Sequence, residues 1–189
     1  MITAAQIAKS LYGASRLARF DAGGLQFFDN NLEEFWRSFF AAVIVAPMIT
    51  VLVVIQLSEQ TVGAGPIRIF FAETVIYVLD WMIFPFIALY IADFIDRGDR
   101  YFRYIAARNW AIVLQMALFL FIALLSQSGM LGQGLAVTLS IASTIAILIY
   151  QGFITKVGLE VSTRAAAAIV FLDLMIGIIL NSTTIWMIQ

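Results

Sequence analysis

Residues Phe39–Leu57 read FFAAVIVAPMITVLVVIQL, nineteen positions without a charged side chain. A helix needs about 20 mostly apolar residues to cross a hydrocarbon layer roughly 30 Å thick, so this stretch reads as a membrane span. Four further runs of similar character follow, at Ile69–Ala92, Trp110–Leu125, Leu135–Ile154 and Ala165–Met187. The third is the shortest, and its reading requires Arg108, Asn109 and Ser126 as interfacial ends. The expected fold class is therefore all-α: a polytopic five-transmembrane-helix bundle over residues 38–189, preceded by an N-terminal arm over 1–37 with a short amphipathic helix.

Composition agrees and removes several chemistries. Of the 189 residues 62% are hydrophobic, and neither Cys nor His occurs. Thiolates, disulfides and imidazole bases or ligands are thus unavailable. The net charge of −1 gives no general attraction to nucleic acid, and no nucleic-acid partner is expected.

The distribution of charge says more than its sum. Lys9, Arg16, Arg19 and Arg37 precede span 1; Arg97, Arg100, Arg103 and Arg108 separate spans 2 and 3; Lys156 and Arg164 separate spans 4 and 5. Those segments share one side of a five-span protein, and only Arg68 falls on the other. The positive-inside rule then predicts a cytoplasmic N-terminus and a C-terminus outside. The first 38 residues contain no continuous apolar core, so span 1 is expected to act as its own insertion signal. Ile2 stands where myristoylation requires Gly.

Within the arm, Thr3-Ala4-Ala5-Gln6 has the form of a capping box and opens a segment with Ile7, Leu11, Ala14 and Ala18 on one face. The segment is expected to end near Phe20-Asp21-Ala22-Gly23-Gly24, and to lie on the inner leaflet, bind a partner, or pack on the ends of the spans. Asp29-Asn30-Asn31, with Glu33 and Glu34 just beyond, is a second helix start. Phe35, Trp36, Phe39 and Phe40 beside Arg37 are read as an interfacial belt, with Trp110 at the same level and Trp186 at the opposite interface.

Polar residues inside the spans are the candidate functional positions. Glu73 and Asp80 lie seven residues apart on span 2, Asp173 lies on span 5, and Gln115, Gln151 and Asn181 are possible helpers. A carboxyl group near the bilayer centre costs at least about 2.5 kcal/mol on insertion scales and so must face protein or water. Asp80 and Asp173 are expected at similar depth. No basic residue is expected deep enough to neutralise them, which leaves two readings: interhelical hydrogen-bonding groups, or a proton or cation site.

Pro47 and Pro85 are expected to kink spans 1 and 2. Gly132, Ala136, Ser140 and Thr144 recur every four residues on span 4, a small-residue ridge that predicts the most enclosed helix, packed within the monomer or across a dimer interface. The loop Asp93–Arg100 alternates charges without EF-hand spacing and is read as a solvated connection. No phosphate loop, nucleophile elbow or zinc motif occurs, so no cofactor, metal or enzymatic activity is expected. Nor does an internal repeat appear.

Two segments carry a family resemblance. Asp99-Arg100-Tyr101-Phe102-Arg103-Tyr104-Ile105-Ala106 supplies a basic, aromatic lead-in to span 3, and Tyr150–Ala165 forms a hairpin whose polar turn leads to Arg164 and Ala165. With five spans, short loops and a cytoplasmic N-terminus, the chain resembles the Yip1 family over about residues 35–185. It departs from eukaryotic members before span 1, where Glu34-Phe35-Trp36-Arg37 replaces an Asp-Leu-Tyr-Gly-Pro motif. The compact form is more similar to bacterial members. The resemblance implies a multi-pass inner-membrane protein, organising membrane or serving a larger complex alongside other membrane proteins or further copies of itself; the alternative from the carboxyl groups is a small oligomeric proton- or cation-linked transporter.

Overall fold

The computed structural model describes residues 2–58 and 63–188. Among them it is all-helical, with five helices long and apolar enough to cross a membrane. The arm contributes α1 (Ala4–Ala18), a 3-10 turn over Ala22–Phe27, and α2 (Leu32–Ser38). The long helices are α3 (Phe40–Ser58), α4 (Pro66–Phe94), α5 (Tyr101–Gln127), α6 (Gln133–Gly158) and α7 (Thr163–Ile188).

Local chemistry sets most boundaries. Thr3 and Gln6 form the reciprocal capping box that starts α1, and the Asn31 side chain accepts from the Glu34 N–H at 2.8 Å to start α2. Pro66 occupies the first turn of α4, where its missing N–H costs nothing. Gly129, at φ 73°, follows the end of α5 in a left-handed conformation that glycine adopts freely. Pro47 and Pro85 lie inside α3 and α4 without ending them.

Helix α5 occupies the centre, packed against α3 and α6 and, at its N-terminal end, against α1 and α2; α7 packs on α6 and α4. The buried residues concentrate at the arm end of the bundle: Ala14 and Leu17 of α1, Val45 of α3, Phe84 and Ala88 of α4, Tyr104, Ile105 and Trp110 of α5, and Ile154 of α6. Polar bonds tie the arm to this core. Tyr150 donates to the Ala14 carbonyl at 2.7 Å, Asn109 Nδ2 donates to Ser38 Oγ at 2.9 Å, and the Arg103 N–H donates to Asn30 Oδ1 at 3.1 Å.

The arm therefore packs on the ends of the spans. Its buried face is Ser10, Gly13, Ala14 and Leu17, displaced from the expected Ile7, Leu11, Ala14 and Ala18 stripe. Close approach decides the difference: Gly13 sits against Phe27, Phe28 and the backbone of Gly24, where an added Cβ would lie 2.7 Å from Phe27 Cβ. A small residue is required there, and the helix rotates to provide it.

Two further expectations change. Trp110 is fully buried rather than interfacial, because α5 begins at Tyr101 and carries Arg108 and Asn109 inside the helix. The ridge on α6 is mostly outward: Ala136 is buried, whereas Gly132, Ser140 and Thr144 are exposed, so α5 and not α6 is the enclosed helix. The buried positions of this half of α6 are Ala136 and Ser143, seven apart. The Asp93–Arg100 connection is solvated, as expected, and is also anchored, with Arg100 paired to Glu160 and Asn30 donating to the Asp99 carbonyl.

Candidate functional site: a buried arginine and two carboxyl groups

At 1.5 Å per residue, Asp80 falls at the midpoint of α4, Asp173 about 4 Å from the midpoint of α7, and Arg108 about 9 Å from the midpoint of α5. Both offsets are toward the arm end. The packing of α7 on α4 brings Asp80 and Asp173 near enough for their charges to interact, and Arg108 reaches Asp173 from α5. One guanidinium nitrogen, Nη2, lies 2.8 Å from both carboxylate oxygens of Asp173. The Arg108 side chain is 9% exposed and that of Asp173 22%. The guanidinium also lies over the Phe84 ring, 4.1 Å from its centroid, which adds a cation–π contact within the core.

Asp80 stands in a different situation. It is exposed at the chain's surface, feels the charges of both Arg108 and Asp173, and makes no hydrogen bond or ion pair of its own among the described residues. With all three groups ionised the cluster carries one negative charge in excess. Arg108 remains cationic throughout because a guanidinium does not deprotonate in proteins. The expectation that no basic residue lies deep enough to neutralise the carboxyl groups is thus overturned for Asp173. Its signal lay in the continuity of Tyr104-Ile105-Ala106-Ala107 with Trp110-Ala111, which carries the helix back past Arg108 and places that residue two turns inside.

The remaining candidates divide. Gln115 and Gln151 meet, with Gln151 Nε2 donating to Gln115 Oε1 at 3.2 Å between buried side chains. Among the described residues Gln115 Nε2 is buried without a partner, as are Arg108 Nε, Asn109 Oδ1 and Trp110 Nε1 on the same stretch of α5. Glu73 does not join Asp80. It lines a groove of about 590 Å³ between α3 and α4, with Thr50, Thr74 and Tyr77. Below that groove the two helices are held together by Tyr77, whose hydroxyl donates to the Ala42 carbonyl at 2.6 Å. Asn181 is exposed on α7, without a hydrogen bond among the described residues.

The chain matches no family model, no curated protein and no solved structure. Five apolar helices are those of an integral, multi-pass membrane protein.

Proposed function

We propose that this chain is a non-enzymatic, Yip1-like protein of the inner membrane that acts as a membrane organiser or as an accessory subunit of a larger membrane complex. The arm and the Arg108–Asp173 end face the cytoplasm, as the charge bias requires. The observation that carries this reading is the division of the polar residues in the spans. Arg108 and Asp173 neutralise each other inside the packed end, where they fasten α5 to α7. Glu73 and Asn181, about 10 Å and 8 Å from their helix midpoints on the other side, have no hydrogen-bond or ion-pair partner among the described residues. An amide or carboxyl group in hydrocarbon seeks a hydrogen bond across a helix interface, worth roughly 0.6–2 kcal/mol, and a neighbouring subunit or second copy supplies it.

Mild extraction followed by native mass spectrometry tests the reading. A defined assembly is expected, homomeric or with other membrane proteins, and Glu73→Leu and Asn181→Leu should dissociate it while the monomer keeps its thermal stability. A wild-type monomer under the same conditions refutes it.

The second reading, a proton- or cation-linked transporter, is favoured by one observation: the surplus carboxyl group at Asp80. In proteoliposomes under an imposed pH or Na⁺ gradient it requires flux that Asp80→Asn abolishes. Gradient-independent behaviour of both proteins is the outcome expected here.

A further inference from the structure

Helices α6 and α7 leave a groove of about 520 Å³ on the side of the bundle that carries α1. Its long walls are apolar, running from Lys156 to Leu148 on α6 and from Thr163 to Leu174 on α7. The eleven steps from Thr163 to Leu174 cover about 16 Å along the α7 axis, which matches one leaflet, about half of a 30 Å hydrocarbon core. Phe20 forms part of the wall, held by an edge-to-face contact with Phe153 at 5.4 Å between centroids. The polar end is positive. Lys156 is exposed and its ammonium enters no ion pair among the described residues, while the nearest acidic residue of the turn, Glu160, is engaged by Arg100. The first turn of α7, opening at Thr163, adds the partial positive charge of a helix N-terminus.

We infer that the α6–α7 groove is a binding site for one anionic phospholipid, its acyl chain along the groove wall and its phosphate at Lys156 and the start of α7. The groove's length, its apolar lining and a cation without an ion pair among the described residues complement the acyl-chain length, apolar tail and negative headgroup of such a molecule, and basic pockets between spans on the cytoplasmic side select anionic headgroups. A zwitterionic lipid fits the wall equally and gains less at Lys156. Free phosphate matches only the mouth. The site goes beyond the accessory role proposed above, since it needs neither a partner subunit nor flux.

The test uses the full chain, purified in mild detergent and offered phosphatidylglycerol or phosphatidylcholine, with retained lipid counted by native mass spectrometry. Wild type should retain phosphatidylglycerol about fivefold better, the effect of one basic residue near the membrane surface. Lys156→Gln should remove that preference and leave both lipids bound equally. Gly152→Leu should reduce retention of both, because an added Cβ at this groove residue meets nothing within 4 Å and the new side chain fills the groove without displacing the fold. Gly134→Leu, equally open but at the far end of α6, should change nothing. Millimolar inorganic phosphate should not displace the lipid. Equal retention of the two lipids by wild type overturns the inference, as does an unchanged preference in Lys156→Gln, wild-type retention by Gly152→Leu, or displacement by phosphate.

Discussion

Replacing Asp173 with Leu leaves the Arg108 guanidinium buried without its bidentate partner. The two 2.8 Å bonds from Nη2 disappear, and the cation cannot neutralise itself by losing a proton. Breaking a buried pair in this way costs about 3–5 kcal/mol. For a chain of this size, roughly 2–4 °C of melting temperature accompany each kcal/mol, so a loss of about 6–20 °C is expected. The reciprocal variant, Arg108→Met, should cost less. It strands two carboxyl groups, but each can take up a proton, and Asp173 is the more exposed member of the pair. The double variant Arg108→Met/Asp173→Leu should recover most of the loss, because apolar side chains of similar volume often replace a buried ion pair at little cost. Adding Asp80→Asn to Asp173→Leu should lower stability further than the two effects summed, since Asp80 is then the remaining charge that Arg108 feels. Thermal unfolding in detergent, followed by size-exclusion of a fluorescent fusion, reads all of these variants. Asp173→Leu melting within about 1 °C of wild type refutes the pair as a fastening of α5 to α7. An Arg108→Met loss larger than that of Asp173→Leu refutes the reasoning about which charge can neutralise itself.

Reporter fusions after Gln189 and beside Arg97 should lie on opposite sides of the membrane; signals on the same side are incompatible with five spans. Ala136→Leu should cost about 1–3 kcal/mol by overpacking a buried position, whereas Ser140→Leu, one turn on and exposed, should fall within about 0.5 kcal/mol of wild type. Equal losses in melting experiments would mean that the ridge as a whole is enclosed. The link between α1 and the 3-10 turn that follows it should weaken in acid. The Arg16 hydrogen bond, helped by the Gly23 N–H, holds the Asp21 carboxyl below its usual range, so the stabilisation is complete above the unfolded value of about 3.9 and lost as pH falls through the lower folded value. Protease cleavage between α1 and α2 should rise over that window in wild type, and Asp21→Asn should be cleaved faster at pH 7 with less pH dependence.

The number of spans is legible along the chain alone, because hydrophobic length against bilayer thickness is a one-dimensional quantity. Helix starts at Thr3 and within Asp29-Asn30-Asn31 are equally legible, since a capping side chain lies beside its backbone donor in the chain, and the structure selects Asn31 as the cap. Similar depths for Asp80 and Asp173 followed from counting along α4 and α7. Which residues neutralise one another depends on how the helices pack. Arg108 and Asp173 are 65 positions apart, and their meeting depends on α7 packing against α4 beside α5. The same holds for the small-residue ridge, whose spacing permits close packing but does not name the helix that supplies it. Gly132, Ser140 and Thr144 face outward because α6 turns Ala136 and Ser143 inward. Charge placement along a chain sets depth in the membrane; which side of a helix is enclosed is set by its neighbours, and that information lies in the packing of all five spans together.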